Sequence, residues 1–314
     1  MKKYLSFHLK GEEIFALIIV ILLVVAIPSV FFAFNKYRDL IEKPEFLPLI
    51  SLSVGVLIMF VIVLILGLLI LKKSIESVEF NDARFVFEGL PGEYLLIILK
   101  GIFLTIITIG IYAPWFQKDL TAYYVGKTKY TEKNFSFHGK GGDLFVIIIA
   151  GVAMPLIIVG LIFGWETFEE SSYSSFKAYG MNILQTILLS PFVYFYYRWI
   201  VNVKFDNFHA LIDSNKYEGI SVVLVQTLLA AITFGIYFPL AGLKIYKYYL
   251  NHIVVSGEDG DKIHFEYDME ETEDFLFIWG QTLLSVITIG IYIPWAYCRI
   301  MERVLGKTSM AIGE

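Results

Sequence analysis

Cysteine is nearly absent from this chain, and charged residues are scarce. Cys298 is the only cysteine among 314 residues, which excludes both an intrachain disulfide and a cysteine-based metal site. Charged residues make up 18% of the chain, compared with roughly 25% in an average soluble domain. The formal net charge of −5 argues against a nucleic-acid partner.

Recognisable catalytic and metal-binding patterns are also lacking. Gly126-Lys-Thr and Gly306-Lys-Thr end like a phosphate-binding loop, but Thr121 and Met301 replace the glycine required five positions earlier. The five histidines are scattered, so no zinc site is visible. We therefore expect no enzyme activity, no cofactor, and no catalytic, cofactor-binding or metal-ligating residue.

Long apolar runs are what the chain has in abundance. Hydrophobic residues make up 57% of it, and the mean hydropathy is +0.67. Seven runs approach or exceed the roughly 20 residues needed to cross a 30 Å hydrocarbon core. They are Ile14–Phe34, Leu49–Leu71, Tyr94–Trp115, Leu144–Trp165, Met181–Trp199, Ile220–Leu243 and Phe275–Trp295. The runs predict an all-α, polytopic integral membrane protein, with residues 1–314 forming a single membrane domain in the lipid bilayer.

One phrase occurs three times, each time at the end of an apolar run. It spans Thr108–Trp115, Thr233–Leu240 and Thr288–Trp295, and an acid lies seventeen positions before the central glycine in every copy. This alignment predicts internal helical repeats. We divide the chain into an N-terminal helical hairpin (1–80), repeat region one (81–202) and repeat region two (203–314).

A glycine, a tyrosine and a proline in each phrase predict a break in the helix. Proline lacks an amide donor and disfavours helix in the residue before it. Two interpretations stay open, of which we favour the first: an anchored helix end at the membrane surface, or a discontinuous helix that lines a polar site. The residues are Gly110, Tyr112, Pro114, Gly235, Tyr237, Pro239, Gly290, Tyr292 and Pro294.

Short extended segments are predicted where the chain enters the membrane. The pattern Phe-x-Phe-x-Gly begins at Phe85 and at Phe135, and alternating aromatic residues favour an extended chain with its rings on one side. The acids Glu93, Glu218 and Glu273 should then lie in first helical turns, where the helix dipole favours negative charge.

Four polar residues inside the apolar runs are candidate functional positions: Lys100, Gln185, Gln226 and Gln281. Polar groups within a membrane often mark functional sites. The dipeptide Gln-Thr recurs at three of these positions, however, and this recurrence favours hydrogen bonding between equivalent helices.

The distribution of basic residues predicts which side of the membrane each loop faces. The acidic, serine-rich segment Trp165–Gly180 should lie opposite both termini, which should be cytoplasmic. The third, sixth and seventh runs fit less easily, because both flanks of each are basic or resemble cytoplasmic entries. Spanning and re-entry both stay open for these runs, and simple spans are slightly favoured for some of them.

The repeated phrase and the Phe-x-Phe-x-Gly entries resemble the YjgN-like bacterial inner-membrane family, from about Phe85 to Lys307. Leu240 departs from the tryptophan expected in the middle copy. The resemblance implies a location in the bacterial inner (cytoplasmic) membrane and an unknown activity, with no known catalytic or binding residues to carry over. The apolar runs predict that the protein is multi-pass, and its protein partners stay unknown. Our leading hypothesis is binding or passage of a small molecule or lipid between repeats. The alternative is a structural or assembly protein that organises other membrane components.

Overall fold

A computed structural model describes residues 2–35, 46–163, 175–257 and 262–312. The strands are β1 (Lys3–Phe7), β2 (Val78–Phe80), β3 (Ala83–Phe87), β4 (Thr128–Tyr130), β5 (Lys133–Phe137), β6 (Val203–Phe205), β7 (Phe208–Ile212), β8 (Ile253–Gly257), β9 (Lys262–Tyr267) and β10 (Thr308–Ile312). The helices are α1 (Gly11–Asn35), α2 (Phe46–Glu76), α3 (Pro91–Ile107), α4 (Ala113–Gly126), α5 (Gly141–Ile148), α6 (Met154–Phe163), α7 (Ser175–Ile200), α8 (Lys216–Ile232), α9 (Phe238–Asn251), α10 (Glu271–Ile287) and α11 (Ile293–Gly306). A π-helical turn at Ile149–Ala153 joins α5 to α6.

The elements follow one order five times: a strand, a helical hairpin and a second strand. We call these units 1 to 5, over residues 3–80, 83–130, 133–205, 208–257 and 262–312. All ten strands pair antiparallel with their neighbours in sequence, and β1 also pairs with β10, so the sheet closes into a barrel. Asn81 and Asp82 link two units through positive φ angles of 51° and 62°. Such residues favour the tight turns that join antiparallel strands.

The predicted all-α, polytopic fold is wrong, because the chain forms a closed ten-stranded barrel. The segments interpreted as membrane entries, such as Phe85-x-Phe87, are strands of this barrel. They pair because each strand alone would leave its backbone N–H and C=O groups without partners. Among the described residues, only Gly55–Glu76 and Gly141–Leu161 are helical, long and apolar enough to cross a membrane.

The barrel turns an apolar face inward and a polar face outward. The rings of Phe85 and Phe135 lie 6.0 Å apart between centroids, although β4 separates their strands. Two strand spacings amount to roughly 9–10 Å, so these side chains converge, as they do on the concave side of a sheet. Phe205 stacks on Phe135 at 4.5 Å in the same interior. On the other face, Arg84 pairs with Glu79.

The five hairpins form a closed ring of helices beside the barrel, because every helix packs on its neighbours in sequence and α11 packs on α1. The second helices of neighbouring units also contact one another. Tyr297 of α11 donates a hydrogen bond to Ser74 of α2, and Gln117 of α4 donates one to Tyr196 of α7. Large apolar side chains are exposed on the first helices, for example Leu96 on α3. The second helices thus contact one another around the ring, and the first helices and α2 present apolar surface.

Three of the predicted membrane segments form helical hairpins that reverse direction. The runs Tyr94–Trp115, Ile220–Leu243 and Phe275–Trp295 are each divided by a turn, at 108–112, 233–237 and 288–292. Both helices of each such hairpin connect to adjacent barrel strands, so the chain leaves and returns on the same side. Our preference for simple spans in some of these copies was therefore wrong. The reason is that a run of apolar residues does not record a reversal of direction.

Candidate functional site: the tips of the short hairpins

Units 2, 4 and 5 carry the short hairpins, and we call the turn of each its tip. Each tip satisfies its own backbone hydrogen bonds. In unit 2 the six consecutive N–H groups from Thr108 to Ala113 all have acceptors: five bond to backbone carbonyls and that of Tyr112 bonds to the Thr108 hydroxyl. Pro114 follows and has no N–H to satisfy. The same six bonds recur in units 4 and 5. No N–H group within these three turns therefore needs water.

One threonine hydroxyl links the two helices of each tip. Thr108 Oγ1 donates to the carbonyl of Leu104, near the end of the first helix, at 2.7 Å. It also accepts a hydrogen bond from the N–H of Tyr112, just before the second helix, at 2.9 Å. Thr233 and Thr288 make the same pair of bonds in the other two tips. The repeated threonine is thus the residue that closes the turn.

The side chains at the tips are apolar and almost fully exposed. Ile109, Phe234 and Ile289 have exposed fractions of 93%, 82% and 91%. Each occupies a positive φ near 50° and precedes a glycine, such as Gly110 with φ 87°. A β-branched residue rarely adopts this conformation, so an isoleucine in this position in two of three tips marks an unusual choice. The combination of satisfied backbone and exposed aliphatic groups suits an apolar medium.

Two of the candidate glutamines form hydrogen bonds with tyrosines of the break motif. Tyr237 donates its hydroxyl proton to Gln226 Oε1 at 2.8 Å, and Tyr292 donates to Gln281 Oε1 at 2.9 Å. The structure thus brings together residues that the sequence analysis selected for separate reasons. Each pair links the last residue of the turn to the first helix of the same hairpin.

The other candidate positions lie apart from these pairs. Gln185 is half-buried in α7, and among the described residues no side-chain hydrogen bond joins it to the other two glutamines. Lys100 is exposed on α3 and has no ion pair or hydrogen bond within the described part of the chain. Their functional roles stay predictions.

The tryptophans after the prolines pack on the next unit. A Cβ added to Gly141, the first residue of α5, would lie 2.6 Å from Trp115 Cδ1. A Cβ on Gly11, the first residue of α1, would lie 2.5 Å from Trp295 Cδ1. In unit 4, where Leu240 replaces tryptophan, the following unit begins its helix with Glu271 instead of glycine. The replacement of tryptophan by Leu240 in unit 4 thus coincides with the replacement of glycine by Glu271 in unit 5.

Sequence reasoning missed a buried ion-pair network at the barrel end of unit 5. Asp274 is only 1% exposed, and its Oδ1 lies 2.6 Å from both Arg303 Nε and Lys307 Nζ. Burial raises the pKa of Asp274, but the hydrogen bonds from Lys307 and Arg303 outweigh burial and hold that pKa below its usual range. Lys307 belongs to the Gly-Lys-Thr sequence that resembled a phosphate loop. The available signal was an acid in the first turn facing a lysine at the end of the partner helix.

The acids predicted at helix starts do lie in first helical turns. Glu93, Glu218 and Glu273 occupy the first turns of α3, α8 and α10. Glu93 forms an ion pair of 2.6 Å with Lys127. Lys127 occupies in unit 2 the position that Lys307 occupies in unit 5. The predicted sidedness of the segment Trp165–Gly180 falls largely outside the described residues, which omit 164–174.

The fold and its tips define a class of protein: a closed barrel that carries apolar helical hairpins, two of which, within the described residues, contain a helix long and apolar enough to cross a membrane. The chain belongs to the family DUF898, described as bacterial proteins of unknown function, whose model matches residues 2–262. The bacterial family suggested by the sequence resemblance is thereby confirmed. No curated protein and no solved structure matches the chain significantly. Among the described residues no group of three or more potential metal ligands occurs.

Proposed function

We propose that this protein inserts its hairpins into the bacterial inner membrane and binds membrane lipid between them. The observation that carries the proposal is the chemistry of the three tips, whose N–H groups are all bonded and whose projecting side chains are nearly fully exposed isoleucine or phenylalanine. Water would be a poor environment for such a surface. A hydrocarbon environment suits both properties. An unsatisfied backbone group in hydrocarbon costs several kcal/mol, and apolar side chains are favourable there.

The hairpins differ in reach, and this difference suggests where lipid binds. The helix α3 has 17 residues and is about 25 Å long, whereas α2 has 31 residues and is about 46 Å long. A hydrocarbon core is about 30 Å thick. In this proposal units 1 and 3 cross the membrane, while units 2, 4 and 5 end within it. Lipid acyl chains then fill the space around the short tips and contact the exposed face of α3.

The proposal also assigns a side of the membrane. β1 and β10 pair at the two ends of the chain, so both termini accompany the barrel. The barrel strands carry more basic than acidic residues, and basic segments favour the cytoplasm. The basic residues are Lys3, Arg84, Lys129, Lys133, Lys204 and Lys262, and the acids are Glu79 and Glu266. We therefore place the barrel and both termini in the cytoplasm. The function in this view is binding without a chemical reaction.

A depth measurement tests the proposal. A probe on Ile109→Cys, in a Cys298→Ser background reconstituted into vesicles, should be quenched by lipids labelled on their acyl chains. Ser256→Cys on the barrel exterior is the matched control and should respond only to water-soluble quenchers. Native mass spectrometry of the same protein should show retained phospholipid. A water-accessible probe at Ile109 would overturn the proposal. A buried probe without retained lipid would favour the structural or assembly role instead.

A further inference from the structure

The outermost cations of the short hairpins lie at similar distances along their helices from the barrel, whereas the last charged residues of α8 and α10, Glu218 and Asp274, lie in first helical turns. Lys100 lies nine residues into α3, about 14 Å from its start. Lys118 lies eight residues before the end of α4, or about 12 Å. Lys244 and Arg299 each lie seven residues before the ends of α9 and α11, or about 10 Å. Beyond these positions the residues 101–117, 219–243 and 275–298 contain no acid, lysine, arginine or histidine.

We call these four cations the basic belt, and we infer that it binds the phosphate groups of anionic phospholipids in the leaflet next to the barrel. The inference rests on the proposed function, because it needs the tips to lie in hydrocarbon. From Lys100 to the end of α3 the helix continues for seven residues, or about 10 Å, before the turn. Half of a 30 Å hydrocarbon core is about 15 Å. The tips therefore occupy one leaflet when the belt lies at its headgroups.

Two members of the belt have no carboxylate partner among the described residues. Lys100 forms no ion pair, and exposed Leu96, Leu99 and Phe103 flank it on the same helix. Its alkyl stem can lie along this apolar surface while the ammonium group reaches the headgroups. The Arg299 guanidinium lies 6.0 Å from the ring centre of Tyr292 and is also exposed. A lipid phosphate is bound better by an unpaired cation at the edge of an apolar surface than by a cation that is fully solvated.

The other two members share their charge with nearby acids and remain partly exposed. Lys118 lies 3.3 Å from Asp119, and Lys244 lies 3.0 Å from Glu271. Glu302 is exposed one turn closer to the barrel than Arg299. The belt still has more cations than acids at its own height, because Lys100 and Arg299 are unpaired. We therefore assign the phosphate contacts chiefly to these two residues.

Lipid retention by the full-length protein tests the assignment. Purified protein in detergent is mixed with phosphatidylglycerol or phosphatidylethanolamine, and bound lipid is counted by native mass spectrometry. Wild type should prefer the anionic lipid. Lys100→Gln and Arg299→Gln should each weaken its retention about fivefold, which corresponds to about 1 kcal/mol per basic residue at an anionic surface. Lys262→Gln, an exposed lysine on the barrel strand β9, is the matched control and should change nothing.

Three outcomes would overturn the assignment. The first is equal retention of the two lipids, and the second is an equal loss in the Lys262→Gln control. The third is displacement of the lipid by inorganic phosphate, which would indicate a site for free anions. The depth probe at Ile109 separates this inference from the proposed function: a buried tip without anionic preference removes only the belt, whereas a water-exposed tip removes both.

Discussion

The Tyr292 hydroxyl lies 2.9 Å from the side-chain oxygen of Gln281 and joins the two helices of the last hairpin. Unit 2 fills the equivalent space differently. Gly101 stands where the glutamine would be, and a Cβ on it would lie 1.9 Å from the Phe116 ring. The position of Phe116 corresponds to Ala296 in unit 5. The same space between the helices is thus filled in two ways. Unit 5 combines Gln281 with Ala296, and unit 2 combines Gly101 with Phe116.

Removal of the Tyr292 hydroxyl should destabilise the last hairpin. In Tyr292→Phe the oxygen of the buried Gln281 side chain loses its donor, which costs roughly 1–3 kcal/mol. Tyr112→Phe is the matched control, because its hydroxyl lies 3.4 Å from Asp119 and makes only a long hydrogen bond. Thermal unfolding in detergent measures both variants. Equal losses would show that the glutamine pair does not stabilise the hairpin.

The threonine of each tip should matter more than an ordinary helix threonine. Thr288→Val removes the hydroxyl that donates to the carbonyls of Leu284 and Ser285, and it leaves the Tyr292 N–H without an acceptor. We expect a loss of roughly 1–3 kcal/mol, with partial recovery in Thr288→Ser. Thr282→Val is the control, since its hydroxyl only donates to the Ile278 carbonyl within the helix. A comparable effect of the two valine variants on the unfolding temperature would contradict the capping role.

The close contact between Trp115 and Gly141 should tolerate no additional methyl group. Gly141→Ala places a Cβ 2.6 Å from Trp115 Cδ1 and 3.1 Å from its Cα, so the indole and its backbone must move. Overpacking of this kind typically costs 1–3 kcal/mol. Gly142→Ala is the neighbouring control, because a Cβ there meets nothing within 4 Å. The difference in unfolding temperature between the two variants should vanish if α4 and α5 do not pack as described.

The sequence allowed the helix breaks to be located, but not the reversal of direction or the barrel, and the difference is physical. A turn at Gly110 and Pro114 has a local cause, namely a positive φ and a missing amide. A strand such as β2 has three residues and no periodicity of its own, and its partner β1 lies more than seventy residues away. The interpretation of Phe85-x-Phe87 as an extended segment was sound, but the pairing of two strands across a whole helical hairpin leaves no signal in one sequence. The division into repeat regions stays a prediction.

The Asp274 network should make the barrel end of unit 5 sensitive to acid. The folded pKa of Asp274 lies below its ordinary value of 3.8, so the carboxylate stabilises the fold fully above that value. This contribution is lost as the pH falls through the lower, folded pKa. Asp274→Asn should therefore cost roughly 3–5 kcal/mol at neutral pH, because Arg303 and Lys307 lose a buried partner. Its unfolding temperature should approach that of wild type in strong acid.

The control Glu270→Gln removes an exposed partner of Lys307 and should have a much smaller effect, since exposed ion pairs contribute little. A constant difference between Asp274→Asn and wild type from neutral pH to acid would show that the network acts through packing and not through charge.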